Sequence, residues 1–179
     1  IYEKRRDELG YADYLGALQG FRAGLDNDPQ LLAMSDWLLE YPFAERFYPQ
    51  ALDVVVHLKS LGPAAILSDG DIVFQPRKIK RSGLWEAFGG EVLVYVHKDR
   101  MLVAMQQRYP AAHYVMVADK PELLPRMKLQ LGKRITTVFV RQGHYAEQAA
   151  EKSIEPAPDI SIACIGDLLG RKLEDFLPS

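Results

Sequence analysis

The chain has 179 residues, 48% of them hydrophobic and 26% charged, so it can bury a core without disulfide or metal staples. Its formal net charge of −2 gives no electrostatic reason to expect nucleic-acid binding, which needs a basic face. No apolar stretch reaches the roughly 20 residues that span a bilayer, and the single Cys164 excludes an internal disulfide.

The single cysteine and the first residue of the chain lead to expectations about the location of the protein and about its N-terminus. Cys164 lies in an apolar run, residues 160–165, where we expect a small buried side chain rather than a nucleophile. A lone thiol fits a reducing compartment, so the expected location is cytoplasmic. The chain opens on Ile1 inside a helical pattern, and we therefore expect natural sequence ahead of it.

The first part of the chain has the periodicity of helices. Residues 2–25 are predicted to form one or two helices, and residues 29–40 a further one. Aromatic and proline residues then crowd between Tyr41 and Pro49, which indicates a connector. The pattern changes there, so we predict a helical domain over residues 1–48 and a second domain over residues 49–179.

From Pro49 onward, predicted helices alternate with short apolar strands. An apolar stripe over residues 51–61 predicts a helix that ends before Gly62 and Pro63. Strands are predicted over residues 64–67, 91–96, 113–117, 135–140 and 160–165, and helices over 98–108, 121–131 and 168–177. This alternation indicates a parallel sheet covered on both faces, an α/β fold with a Rossmann-like core.

Polar residues follow the strands at the edge where ligands bind in such sheets. Ser68, Asp69 and Gly70 follow the first strand, Lys98 follows the second, and Asp119 follows the third. A hydroxyl, backbone amides and a lysine suit phosphoryl oxygens, while a carboxylate suits a hard cation such as Mg²⁺. The pattern therefore favours phosphoryl chemistry.

The order of these motifs resembles the haloacid dehalogenase superfamily over nearly the whole chain. Residues 64–69 look like the second motif of that family, a strand ending in Ser or Thr. Lys98 falls at the lysine of the third motif, and residues 115–120 look like the acidic fourth motif. The helical residues 2–48 match the cap that members insert after their first strand, so the implied fold is a Rossmann-like core with a helical cap.

The resemblance implies a role for each matching residue. Ser68 would hydrogen-bond a phosphoryl oxygen, helped by the backbone N–H groups of Asp69 and Gly70. Lys98 would steady the nucleophile and the developing charge, and Asp119 would ligate Mg²⁺ directly or through water. The nucleophile would be the first aspartate of an Asp-x-Asp motif expected ahead of Ile1, forming a phospho-aspartyl intermediate.

Two Asp-x-Asp sequences within the chain compete with that assignment. Residues 26–28 follow no apolar strand, and Pro29 behind them suggests the start of a helix instead. Asp69-Gly70-Asp71 does follow a strand, and as the nucleophile motif it would make the chain a complete small hydrolase with an N-terminal extension. Against this alternative, too few strands remain downstream to supply the other motifs in order.

The function implied is Mg²⁺-dependent hydrolysis of a small phosphomonoester, with the cap selecting substrate and excluding water. We expect a phosphorylated small molecule as partner, and neither nucleic acid nor membrane. Ala118 stands where the acidic motif usually has a first carboxylate, so the strength of metal binding is in question. A catalytically decayed binding protein and a 2-haloacid dehalogenase are the alternatives.

Overall fold

The computed structural model describes residues 1–25, 28–95, 98–148 and 153–178; for residues 98–100 and 148 it describes the backbone alone. Its strands are β1 (Ile66–Asp69), β2 (Val92–Tyr95), β3 (Tyr114–Ala118), β4 (Ile135–Val140) and β5 (Ile160–Ile162). Its α-helices are α1 (Tyr2–Leu9), α2 (Tyr14–Arg22), α3 (Pro29–Glu40), α4 (Ala51–Leu61), α5 (Phe74–Arg81), α6 (Leu84–Ala87), α7 (Lys98–Arg108), α8 (Leu123–Leu131) and α9 (His144–Gln148). Short 3₁₀ helices cover Phe43–Arg46, Gly132–Arg134, Ile165–Gly170 and Leu173–Phe176.

The strand pairs of the described residues are all parallel, as predicted. β1 pairs with β2, so that Ser68 lies opposite Val94. β4 lies between β3 and β5 in a second sheet, where Ala118 lies opposite Phe139. The α/β class with parallel strands is therefore confirmed, and the strands are divided between two sheets.

Most predicted boundaries lie within two residues of the observed ones. The bounds of α3, α7 and β4 are those predicted from periodicity. β1 begins two residues later than predicted, so Ser68 and Asp69 are its last members rather than the residues that follow it. Val96, the predicted end of the second strand, lies outside the described residues.

The predicted closing helix over residues 168–177 is wrong. Two 3₁₀ helices occupy this region, and Arg171 between them is extended. Asp167 accepts hydrogen bonds from the amides of Ala163 and Cys164 at 2.9 and 3.1 Å, and Asp175 accepts one from Lys172 at 2.8 Å. Because each aspartate binds backbone amides at the start of its own turn, two short turns form instead of one α-helix.

The chain forms two compact units: residues 1–47 with 64–101, and residues 48–63 with 102–179. The division into a cap over residues 1–48 and a core over residues 49–179 stays a prediction. Among the described residues, no helix combines the length and the apolar character needed to cross a membrane.

In the first unit, aromatic side chains join the N-terminal helices to α5. Phe74, the first residue of α5, is 4% exposed. The rings of Tyr14 and Phe43 contact it edge-on, with centroids 5.5 and 6.0 Å away. Such edge contacts add to the stabilisation that burial of the rings provides.

The carboxyl end of α3 is bound by two arginines of α5. The Glu40 carboxylate pairs with Arg77 and Arg81, and the two guanidinium groups donate to the carbonyls of Leu39 and Glu40 at 3.0 and 2.9 Å. Cations at this end of a helix satisfy its last carbonyls and oppose its dipole. Two of the basic residues of α5 thus contact the end of α3.

In the second unit, β4 is buried along its whole length. Val138 and Val140 pack on one side in a cluster that includes Val54 of α4 and Leu168. Phe139 packs in a different cluster, with Leu124 and Ala146. Because alternate residues of a strand point to opposite faces, the two clusters cover both faces of β4, as expected for a parallel strand.

Asp159 holds the start of β5 against β4. Its Oδ2 accepts hydrogen bonds from the backbone amide and the hydroxyl of Thr137, both at 2.8 Å. Lys128 of α8 donates to the same carboxylate at 2.7 and 2.8 Å, and also to the Ile135 carbonyl at 2.9 Å. Partial burial opposes the charge, but the bonds from Lys128 and Thr137 outweigh it and lower the pKa of Asp159.

We expect Asp159→Asn to lower the free energy of unfolding by about 1–2 kcal/mol, since the ion pair and one acceptor are lost. A folded-state pKa below the unfolded value gives stabilisation that is present above about pH 4 and is lost as the pH falls further. Urea unfolding at several pH values should therefore show a difference from wild type that shrinks below about pH 4. Asp36→Asn, on the exposed side of α3, is the control; an equal loss in both variants would contradict the assignment.

Candidate active site

The predicted site residues are divided between the two compact units. Ser68, Asp69 and Gly70 lie in the first unit, and Asp119 lies in the second. Lys98 begins α7 in the first unit, and its side chain lies outside the described part of the chain. The sequence predicts that these groups act together, and this stays a prediction.

At the end of β1, the Ser68 hydroxyl and the Gly70 amide make long hydrogen bonds. Ser68 is half-buried, and its Oγ donates to the Asp69 carbonyl at 3.3 Å. The Gly70 amide donates to the Tyr95 carbonyl at 3.3 Å, which continues the ladder to β2 by one residue. Both distances are at or beyond the long end of their usual ranges, so both donors are weakly held.

Gly70 has a backbone that other residues rarely adopt. Its φ is +144°, and a Cβ at this position would lie 2.5 Å from Cγ of Gln75. The side chain of Gln75 thus covers the point where β1 ends. Glycine is required here both by the dihedral angle and by this close approach.

Asp71 has a structural task. Its Oδ1 accepts hydrogen bonds from the amides of Val73 and Phe74, at 2.9 and 2.5 Å, where α5 begins. A carboxylate bonded in this way stabilises the helix terminus. In the alternative nucleophile motif Asp69-Gly70-Asp71, this residue would have to exchange protons with a substrate, and its bonds to two amides disfavour that role.

At the end of β3, Asp119 lies beside Gly143 and Tyr48. Gly143 has a φ of +94°, and a Cβ built on it would lie 3.4 Å from Oδ2 of Asp119. The same point is 3.1 Å from the hydroxyl oxygen of Tyr48, so the carboxylate and the phenol stand over one face of Gly143. The next residue, Lys120, has its Nζ 4.8 Å from the ring centroid of Tyr145, within cation–π distance.

The sequence indicates only part of this second group as a candidate. Residues 141–145 follow β4 at the edge where ligands bind in parallel sheets, so their position in the sequence is compatible with a supporting role for this segment. Tyr48 was assigned only to the connector, because nothing in its neighbourhood along the chain pairs it with Asp119. Only a structure brings these two side chains together.

The described residues contain no group of three or more His, Cys, Asp or Glu side chains that could hold a metal ion. Two histidines have structural partners: Nε2 of His57 lies 2.8 Å from the Arg171 carbonyl, and Nε2 of His113 lies 3.0 Å from Oγ1 of Thr136. Among the described residues, Asp119 would therefore be the protein ligand of any cation at the end of β3.

The chain is similar to a protein of Burkholderia xenovorans LB400 whose crystal structure is described as that of a haloacid dehalogenase-like hydrolase. The two sequences are 55% identical, the TM-score is 0.89, and the match covers 96% of this chain and 80% of the other. This chain belongs to the haloacid dehalogenase superfamily of hydrolases. No family model matches it, and no curated protein does.

Membership of the superfamily makes Ala118 a departure with a structural reason. Ala118 is the last residue of β3, and it packs against the apolar cluster of Leu124, Phe139 and Ala146. A carboxylate there would be placed beside hydrocarbon, which is an unfavourable environment for a charge. An alanine at this position is therefore compatible with the packing on this face of β3.

We expect Gly70→Ala to lower the free energy of unfolding by about 1–3 kcal/mol, because the added methyl group meets Gln75 and the dihedral angle becomes strained. Urea unfolding measures the effect. Gly62→Ala is the control, since Gly62 is extended and a Cβ there would meet nothing within 4 Å. Equal stability of the two variants would mean that the backbone at Gly70 differs from the one described.

Proposed function

We propose that this haloacid dehalogenase-like hydrolase cleaves small phosphomonoesters with Mg²⁺, through a phospho-aspartyl intermediate. The observation that carries the proposal is the Asp119 carboxylate at the carboxyl end of parallel strand β3, beside a phenol hydroxyl. Ser68 in the last positions of parallel strand β1 supports it, because this is where the second motif of the superfamily has its hydroxyl.

The single carboxylate fits Mg²⁺. This ion is usually bound through one or two carboxylates together with substrate phosphates and water, rather than by a complete protein cage. Asp119 would supply the carboxylate, and bound Mg²⁺ would neutralise charge on the phosphoryl oxygens. A metal held by so few protein ligands is expected to bind weakly without substrate.

The other matching residues take the roles that the superfamily pattern implies. Ser68 donates its hydroxyl to a phosphoryl oxygen in place of its long bond to the Asp69 carbonyl. The amides of Asp69 and Gly70 assist, and the Gly70 amide gives up a weak bond to Tyr95 when it does so. The ammonium group of Lys98 stabilises the charge that develops on those oxygens as the bond to phosphorus breaks.

The covalent steps need a nucleophile, which the proposal places on an aspartate ahead of Ile1. Its carboxylate oxygen attacks phosphorus while the ester oxygen leaves as an alcohol with a proton from the second aspartate of that motif. Water activated by the same second aspartate then hydrolyses the acyl phosphate, which releases inorganic phosphate and restores the nucleophile.

The test is hydrolysis of an aryl phosphate by the natural full-length protein, with Mg²⁺ and with a chelator. We expect turnover only with the metal, and a fall of kcat by about 100-fold or more in Lys98→Ala, because a donor to the developing charge is lost. Lys133→Ala, in the 3₁₀ helix before β4, is the matched control and should keep wild-type kcat.

Asp119→Asn should raise the Mg²⁺ concentration for half-maximal turnover by about ten-fold or more, since a charged ligand is replaced by a neutral one. Asp53→Asn, on the exposed part of α4, should leave this Mg²⁺ concentration unchanged.

Release of halide from a 2-haloacid, without release of phosphate from any ester, would identify a dehalogenase instead. A folded protein with neither activity would be a binding protein, and loss of turnover in Asp69→Asn alone would favour the Asp69-Gly70-Asp71 alternative.

A further inference from the structure

Tyr48 approaches the same face of Gly143 as the Asp119 carboxylate, and it does so from the connector before α4. The residue lies between the first 3₁₀ helix and α4, and its carbonyl accepts a hydrogen bond from Ala51 at 3.2 Å. Gln50 begins α4 with a φ of +64°, and it is the one non-glycine residue with positive φ among the described ranges. A residue other than glycine in this region costs energy, so the surroundings must hold it there.

A contact of the Gln50 side chain helps to stabilise this backbone conformation. Its Oε1 occupies the place where a Cβ of Gly166 would stand, so the connector fits closely against the turn that follows β5. Gln142 binds the same turn, since its Oε1 accepts a hydrogen bond from the Ile165 amide at 3.1 Å. The turn after β5 therefore contacts both Gln50, two residues after Tyr48, and Gln142, which precedes Gly143.

Gly143 makes room for the Tyr48 hydroxyl. A methyl group at this position would lie 3.1 Å from the phenol oxygen, which is tight, and 3.4 Å from Oδ2 of Asp119. Tyr48 is 49% exposed, and none of the described residues donates to or accepts from its hydroxyl. A hydrogen-bond donor and a carboxylate therefore both approach the same face of Gly143.

We propose that Tyr48 is a phosphate-binding residue whose hydroxyl donates to the phosphoryl oxygen next to Asp119. This inference rests on the proposed function, and it adds a contact that the superfamily motifs do not include. A phenol hydroxyl has one O–H group, which can donate a hydrogen bond to an anion. The Asp119 carboxylate can only accept hydrogen bonds, so it suits a cation rather than an anion. A phosphoryl group could then bind both the cation on Asp119 and the Tyr48 hydroxyl.

The direct test is binding of inorganic phosphate to the natural full-length protein with Mg²⁺ present, measured by calorimetry. Tyr48→Phe removes the hydroxyl alone and should weaken phosphate binding by about ten-fold, the usual effect of losing a hydrogen bond to a charged group. Tyr114→Phe is the matched control, because the Tyr114 hydroxyl binds the Tyr109 carbonyl and the Ala111 amide at the other end of β3. The control should bind phosphate as wild type does.

The possible results separate the two proposals. If wild type binds phosphate and Tyr48→Phe binds it equally well, the role of Tyr48 is wrong while the proposed function stands. If wild type binds no phosphate at millimolar concentration with Mg²⁺, the proposed function fails and the inference fails with it. Weaker binding in both variants would mean a general loss of structure, and would also overturn the assignment.

A second measurement tests the geometry without any ligand. Gly143→Ala places its methyl group against the Tyr48 hydroxyl, so its cost in free energy of unfolding should be smaller when Tyr48→Phe has removed that oxygen. Urea unfolding of the wild type, both single variants and the double variant gives this coupling. Equal costs in the two backgrounds would show that the hydroxyl does not stand over Gly143.

Discussion

Burial of β4 on both faces is the constraint on which the second unit depends. All six residues of the strand are buried, so it must lie between two other strands and beneath apolar residues on each side. β3 and β5 supply the pairing, and α4, α8 and the C-terminal 3₁₀ helices supply the cover. Parallel pairing then directs the ends of β3 and β4 to the same edge, which places Asp119 and Gly143 side by side.

The strands were predictable because a buried strand consists mostly of apolar residues, and such a run can be recognised in the sequence. A parallel strand covered on both faces is a short, nearly continuous apolar run, and residues 135–140 and 114–118 have that form. Helices were predictable where an apolar stripe or a proline marked them, as Pro29 does for α3. The helix predicted for the C-terminal segment does not form, because Asp167 and Asp175 bind local backbone amides. These hydrogen bonds compete with α-helix formation, and the spacing of hydrophobic residues gives no information about them.

The candidate site was predictable only where it follows the strands. Ser68, Lys98 and Asp119 are candidates because their order along the chain resembles that of superfamily motifs at strand ends, and their roles stay predictions. Tyr48 and Gly143 are 95 positions apart in sequence, and neither belongs to such a motif. Their proximity depends on the αL backbone of Gln50 and on the contact of Gln50 with Gly166, which are tertiary features.

Ala118 connects packing with the chemistry proposed for the site. An alanine at the end of β3 packs against the apolar cluster around Phe139, and it offers no carboxylate at the position where the resemblance leads us to expect one. A cation on Asp119 would then depend more on the phosphoryl oxygens of the substrate, and less on the protein, than one held by two carboxylates. Neutral donors such as the Tyr48 hydroxyl become more important in such a site, because they bind the phosphoryl group without competing for the metal. The proposed site with Ala118 at its edge would in this way couple metal binding to substrate binding.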